Sequence, residues 1–502
     1  MKHFYLFVLA LFLSIGFISA QNVCFSGRYK SRVFSSYIKY GDIKYAEVQQ
    51  ISPPYLDENL HMDVYMPDGD VLKNRPIVVF AHASAFLFND KTCDVAKAYA
   101  DTFTRRGYVF ASLDYRMGFD PLDGTSSMRA AYAAIQDGKS AIRFIKEYAD
   151  TFGIDTNNII FAGSSAGGIM ALYAAYADKE SERPAESYAG LLSPDLGCWE
   201  CSGNTYKHTS KIKAAISMWG AVLDVSMIDD PNAPPCMLIH GTADQIVPYG
   251  TGHPFQFPVF PESSGSLIID QQATAIGLKH EFYPFEILGI NHEFYGSANG
   301  NWLNLIGPNQ YWDTVTTLFT QYTFKQIQPQ TSVIAGAATV YQNNLQQTYT
   351  VDYHTGSSYC WTITGGSIIS SNSNSVTVLW NTTGYGQLKV TEITDYMAEG
   401  NPQVLDVNIM QGTTTGINNL TENQTMSIYP NPANSLVQFN LNTNEHVSIK
   451  IYNAVGQEIN TIHCQNQKTV LLDVSKFSSG TYTCKARLAN GNLFATEKLI
   501  VQ

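Results

Sequence analysis

The stretch Ile159-Ile160-Phe161-Ala162-Gly163-Ser164-Ser165-Ala166-Gly167-Gly168 decides how this chain is read. Its first four residues form a strand-like apolar run, and Ile169–Tyr176 behind the glycines is an Ala-rich helical stretch. Gly-x-Ser-x-Gly between a strand and a helix is the context a nucleophile elbow requires. In so tight a turn, side chains at Gly163 and Gly167 would clash, and the Ser165 hydroxyl is lifted clear of the sheet at a helix N-terminus. Ser165 is the expected nucleophile.

A serine nucleophile needs a base and an orienting acid, which in this architecture follow in the order Ser, Asp or Glu, His. Pro235–His240 is a buried-strand pattern running into Gly241-Thr242-Ala243-Asp244. Asp244 therefore lies just past a strand's C-terminal end, the edge where parallel sheets carry their sites. Phe285-Glu286-Ile287-Leu288 reads as the last strand and Gly289-Ile290-Asn291-His292 as the loop beyond it. Asp244 is the expected acid and His292 the expected base. His240 is read as a brace for its loop, Asp137 as a structural partner on a helix, and Glu286 as too near His292 to orient it. Upstream, the strand Ile77–Ala81 leads into His82-Ala83-Ser84-Ala85-Phe86, the position of an oxyanion loop. Backbone N–H groups of Ala166, Ser84 and Ala85 are the expected donors to a developing oxyanion.

Outward from this core, the 502 residues carry a net charge of −12, with 45% hydrophobic and 15% charged residues. That mix suits a packed protein rather than a disordered one. The acidic balance, with no Lys/Arg run, argues against a nucleic-acid partner. Apolar runs at Ile77–His82, Tyr108–Asp114, Ile159–Ala162, Ala214–Trp219 and Met237–His240 alternate with helix-length segments such as Ala130–Tyr148. The alternation predicts an α/β domain with a mostly parallel, helix-flanked sheet over residues 21–330. From about Thr331 the chain turns to Ser, Thr, Asn, Gln and Gly with short β-branched runs. Two small β-sandwich domains are expected, 331–411 and 426–502, joined by a polar linker at 412–425.

At the front, Lys2 and His3 precede the apolar run Phe4–Phe17 and the small-residue exit Ile18-Ser19-Ala20. This is the grammar of a signal peptide, residues 1–20, and the run is shorter than a spanning helix needs. The mature chain is expected to start at Gln21, to lack a transmembrane segment and to be exported. Eight cysteines are too sparse for a disulfide scaffold. Cys198-Trp199-Glu200-Cys201 is read as a small disulfide pinning a loop; no second CxxC supports zinc, and neither metal nor cofactor is expected.

The strings Met62–Pro67, His82–Phe86, Asp114-Tyr115-Arg116, Gly163–Gly168, His240–Asp244 and His292 stand in one order. On them, residues about 40–325 resemble an α/β-hydrolase of the carboxylesterase/lipase group. The resemblance implies hydrolysis of carboxylic esters through an acyl-enzyme, without cofactor or metal. Carried over, Ser165 attacks, His292 moves the proton, Asp244 holds the imidazole, and Asp114-Tyr115-Arg116 braces the oxyanion loop. Ala-Ser-Ala at 83–85 departs from the three glycines of the family's loop. Ile428–Ala433, Val447–Gly456, Ser479–Tyr482 and Lys498–Val501 resemble a type IX secretion system C-terminal sorting domain. That likeness implies that the type IX machinery of Bacteroidetes-type bacteria carries the chain to the cell surface or beyond. Trp361–Gly366 and Val376–Trp380 resemble a polycystic-kidney-disease-type immunoglobulin-like domain, with Trp361 and Trp380 expected in its core.

Two insertions, Asp178–Thr209 and Tyr249–Ser266, carry prolines and aromatic residues and are expected to overhang the site. The expected substrate is an ester of an extracellular polymer or its fragments, with feruloyl, acetyl and polyester linkages as the options. A secreted serine peptidase and a catalytically silent adhesin are the other readings. The adhesin requires loss of Ser165, Asp244 or His292, and all three are present.

Overall fold

The apolar runs of the first domain become one sheet because both of its faces are covered. The structure is a computed structural model, and it describes residues 26–191, 193–287, 292–302, 307–343, 345–411, 425–489, 491 and 493–502. The expected signal peptide, residues 289–291 and nearly all of the expected linker lie outside the described residues.

Eight strands form the sheet: β1 (Tyr37–Gln49), β2 (Asp57–Pro67), β3 (Arg75–Ala81), β4 (Val109–Leu113), β5 (Ile154–Ser164), β6 (Ala214–Met218), β7 (Cys236–Gly241) and β8 (His280–Phe285). Their order across the sheet is β1-β2-β4-β3-β5-β6-β7-β8. The six strands from β4 to β8 pair in parallel, while β1 and β2 add an antiparallel edge. Side chains of β3 alternate between two cores: Ile77, Val79 and Ala81 belong to one, Val78 and Phe80 to the other. Burial on both faces is why such strands read as unbroken apolar runs. With helices on both faces, this is the α/β-hydrolase architecture.

The helices that matter most here are α1 (Asp94–Thr104), α2 (Gly124–Glu147), α3 (Ala166–Tyr176), α4 (Ser266–Ile276) and α5 (Tyr311–Ile327). Helix α2 starts well before the apolar spacing at 130–148 suggested, because the Asp123 carboxylate caps it by accepting the Thr125 N–H. The last strand also differs from expectation. It is His280–Phe285, pairing in parallel with β7, and Glu286 lies just past its end. As an edge strand it is only half-buried, so its sequence mixes polar and apolar residues and lacks the run that marks the inner strands.

Beyond α5, two sheets face a shared core. One has the order β9 (Thr339–Tyr341), β15 (Gln403–Met410), β14 (Gly384–Ile393), β11 (Ser358–Thr364); the other β10 (Gln347–Thr350), β13 (Ser375–Trp380), β12 (Gly366–Asn372). Trp361 and Trp380 are buried in that core, and the Trp380 Nε1–H donates to the Tyr349 hydroxyl. One pairing, β9 with β15, is parallel rather than antiparallel. This sandwich and the α/β part form one compact unit ending at Met410. They share a tie at the N-terminal segment: Glu399 accepts the Ser26 and Gly27 N–H groups at 2.6 and 3.1 Å, and the Tyr29 hydroxyl donates to the Tyr396 carbonyl at 2.7 Å. The second unit, from Gln411, holds two further sheets, Met426–Tyr429 with Leu436–Leu441 and Thr469–Asp473, and Glu458–Cys464 with Val447–Tyr452, Gly480–Leu488 and Leu493–Val501.

Asp137 is the structural partner expected of it. Fully buried on α2, its carboxylate takes the Arg116 backbone N–H at 2.8 Å and the Arg116 guanidinium at 2.7 Å. Breaking a buried ion pair from one side leaves an uncompensated charge, which typically costs about 3–5 kcal/mol. Asp137→Ala should therefore lower the unfolding free energy of the full chain by about that much, read from the urea midpoint and slope at neutral pH.

Candidate active site

The turn after β5 is built on close backbone approach. A Cβ on Gly163 would sit 2.3 Å from the Gly167 carbonyl carbon, and one on Gly167 would sit 2.0 Å from the Ala81 carbonyl oxygen. Both positions exclude a side chain, as the sequence implied. Between them, Ser165 takes φ 55 and ψ −117, a region that L side chains rarely adopt. The Ser165 N–H donates to the Met218 carbonyl at 2.9 Å, which fixes the turn to the end of β6.

The three residues expected to act together do meet. Ser165 Oγ lies 3.0 Å from His292 Nε2, and His292 Nδ1 lies 2.7 Å from Asp244 Oδ2. An ionised carboxylate can only accept, so His292 Nδ1 carries a proton and its Nε2 is left as the acceptor for the serine hydroxyl. The other Asp244 oxygen accepts the N–H groups of Ile246 and Val247 at 2.8 and 3.1 Å.

His240 braces this loop, as expected, and also reaches the acid. Wholly buried, its Nε2 faces the Val247 carbonyl at 3.2 Å and Asp244 Oδ2 at 3.4 Å. Both are acceptors, so Nε2 carries the proton and Nδ1 accepts from the Ser266 hydroxyl at 2.8 Å. Burial alone would raise the Asp244 carboxyl; hydrogen bonds from His240 and His292 outweigh it and hold that carboxyl well below the usual carboxylate range.

The oxyanion loop is held from below. The Tyr115 hydroxyl bonds the His82 carbonyl and the Ser84 hydroxyl, each at 2.7 Å, and its ring stacks on the His82 ring. Ser84 Oγ in turn accepts the Phe86 N–H at 2.8 Å, and Ala85 and Phe86 take left-handed φ values of 51 and 58. Ser84 is fully buried with its hydroxyl spent inside the loop, whereas Ala85 and Ala166 border the cavity beside Ser165. Ala85 and Ala166, two of the three residues expected to donate, thus border the cavity beside Ser165, and the Ser84 hydroxyl pins the loop.

Two neighbours of the base had no signal in the sequence. Trp219 packs edge-on to the His292 ring, and Glu293, buried directly after His292, accepts the Gly300 N–H at 3.0 Å. Burial raises the Glu293 carboxyl above its ordinary value. Among the described residues, no group of three His, Cys, Asp or Glu side chains could hold a metal ion.

A cavity of about 910 Å³, counted out to open solvent, begins at Ser165. Pro184 and Trp199 of the first insertion line it, as do Pro254, Phe255, Phe260 and Pro261 of the second. Tyr188 and Phe257, equally conspicuous in the sequence, are instead exposed. The first insertion is clamped along α2. Arg129 donates to the carbonyls of Glu186 and Tyr188, Gln136 to those of Leu196 and Cys198, and Arg143 pairs with Glu200. The Cys198–Cys201 disulfide closes the turn that presents Trp199.

Residues 62–230 match the family model BD-FAE. Residues 427–502 match the model described as a secretion system C-terminal sorting domain. That unit marks the chain for export to the cell surface or beyond, and among the described residues no helix is long and apolar enough to cross a membrane. The α/β part is similar to Gut esterase 1 of Caenorhabditis briggsae, 29% identical over 125 residues, covering 24% of this chain and 22% of that protein. Phenmedipham hydrolase of Pseudarthrobacter oxydans is 30% identical over 146 residues, 29% of this chain and 28% of that protein. The chain thus spans about a quarter of the length of these curated relatives. Among solved structures, Thermogutta terrifontis esterase 2 phosphorylated by paraoxon aligns with a TM-score of 0.39 and 21% identity, over 56% of this chain and 94% of that one.

A carboxyl held below its unfolded value, about 3.9 for Asp, contributes stability above that pH and loses it as pH falls toward the folded value. Asp244→Asn should therefore lower the melting temperature at neutral pH, and the gap to the native chain should narrow steadily below about pH 4. Differential scanning calorimetry across that range checks the sign.

Proposed function

We propose that this chain is an exported serine hydrolase of carboxylic esters. The observation that carries the reading is the unbroken line of hydrogen bonds from Ser165 through His292 to Asp244, at 3.0 and 2.7 Å. His292 Nε2 takes the hydroxyl proton as Ser165 Oγ attacks the ester carbonyl. The Ala85 and Ala166 N–H groups receive the oxyanion, with Ala166 adding the positive end of α3. His292 then delivers its proton to the leaving alcohol, and a water activated by the same imidazole releases the acid from the acyl-enzyme. The imidazolium that forms in each half-reaction is stabilised by Asp244, itself kept ionised by His240. The BD-FAE match and the esterases among the relatives support an ester as substrate.

Export by the type IX machinery places the enzyme among extracellular polymers, and an ester of such a polymer or of its fragments is the proposed substrate. The β-sandwich at 331–411 is proposed as a polycystic-kidney-disease-type domain.

Ser165→Ala in the full chain should cut turnover of p-nitrophenyl acetate by at least about 10³-fold while leaving the circular dichroism spectrum and melting temperature in place. Comparable activity in the variant rules out this nucleophile. Because a protonated imidazole cannot accept the serine proton, kcat/KM should fall about tenfold per unit as pH drops across the acid limb. A profile with no acid limb at all, with chemistry limiting, rules out His292 as base.

A further inference from the structure

The cavity at Ser165 is one-sided. It is bordered by Ser165, Ala166 and Ala85, yet His292 is not on its wall. In ester hydrolysis the leaving alcohol has to receive its proton from the base, so the alcohol side lies toward His292 Nε2. The other substituent of the carbonyl points away from His292, into the cavity. If the chain is the serine esterase proposed above, this cavity holds the acyl group.

Its wall has a definite chemistry. Among the described residues, no Asp, Glu, Lys, Arg or His side chain lines it. The polar side chains that do each hold one bond: Ser127 donates to the Gly124 carbonyl, Tyr132 to the Gly197 carbonyl, Trp199 to the Lys179 carbonyl and Ser263 to the Gly252 carbonyl, and the Tyr173 hydroxyl accepts the Leu223 N–H. The rest is hydrocarbon and aromatic ring, including Met128, Ile169 and Phe260. Its wall takes in Met128 and Tyr132 of α2, Trp199 of the first insertion and Phe255 and Phe260 of the second, far more surface than an acetyl group could cover.

We propose that the enzyme selects esters of bulky, uncharged hydrocarbon acids, medium-chain alkanoyl or unsubstituted arylalkenoyl, and that it disfavours acetyl and ring-hydroxylated acyl groups. Each methylene added to the acyl chain moves more apolar surface out of water into this pocket, whereas a phenolic hydroxyl would leave water for a wall that is mostly hydrocarbon and aromatic ring. Selection therefore lies in the acyl-transfer step, in which Ser165 Oγ bonds the carbonyl carbon, the alcohol oxygen leaves with the proton from His292, and the acyl group stays in the cavity.

The test is a matched panel on the full chain, with Ser165→Ala as the blank. It comprises p-nitrophenyl esters from acetate to decanoate, methyl cinnamate against methyl ferulate, and butyrate esters of alcohols of increasing size. The expected result is a kcat/KM that climbs about two- to fourfold per methylene up to a plateau, and cinnamate preferred over ferulate by about tenfold. The profile across the alcohols should be shallow by comparison. A profile flat in acyl length, an acetate optimum, a preference for ferulate, or a steep dependence on the alcohol instead of the acid overturns the assignment, although serine-dependent turnover in any of these cases leaves the esterase reading standing. Ala131→Phe, which puts a ring into the same wall, should lower the decanoate-to-acetate ratio of kcat/KM by about tenfold or more; an unchanged ratio places the acyl chain elsewhere. If no ester of any kind is turned over by the folded chain, it is the esterase reading that fails.

Discussion

Everything at this site hangs on a backbone contact with no room for a methyl group. The strand that ends at Ser164 turns into α3 so sharply that Gly163 touches Gly167 and Gly167 touches the carbonyl of Ala81. Sterics of that kind convert a flexible hydroxyl into a fixed one. The left-handed φ of Ser165 is an unfavourable conformation for an L residue, and the neighbouring strands impose it by packing rather than by any single strong bond. The Ala166 N–H, the first of α3, and the Ser165 hydroxyl are carried by the same turn, so they cannot drift apart independently. The oxyanion loop, arriving from β3 next door, is referenced to the same Ala81 carbonyl.

Around that fixed point the groups of α2 that hold the neighbouring loops are polar, buried and hydrogen-bonded. Helix α2 uses Asp137 to hold Arg116 beneath the loop that carries Tyr115, and it uses Arg129, Gln136 and Arg143 to lay the first insertion down as a cavity wall. Such residues add little net stability as pairs, but each is costly to strip of its partner, so together they permit few alternative arrangements. The cavity they frame is the opposite in character, apolar and free of charge.

How much of this was legible in the sequence follows from burial. Inner strands such as Ile77–Ala81 and Ala214–Met218 are covered on both faces and announce themselves as apolar runs. The edge strand His280–Phe285 is only half-buried, and the more apolar segment after it was the stronger signal to a reader of the sequence. The serine, acid and base were legible because their order along the chain and their positions after strand ends are imposed by the topology. What could not be read was the direction of groups within a loop. How Ser84 sits in its loop depends on the left-handed turn at Ala85 and Phe86 and on Tyr115, 31 residues away. The contact of His240 with Asp244 depends likewise on how Val247 and Ser266 fold back across the strand end.

The tie between the N-terminal segment and the β-sandwich bears on the order in which the chain can fold. Ser26 meets Glu399 across 373 residues, and Tyr29 meets Tyr396 across 367. On a ribosome the leading end is made first, and contacts at such separations carry the largest loop-closure entropy. The segment around Tyr29 can meet Arg106 and Tyr108 early, but its bonds to the sandwich must wait until most of the chain has been made. The first unit therefore stays one fastening short of complete until the stretch around Tyr396 and Glu399, close to its end at Met410, is in place.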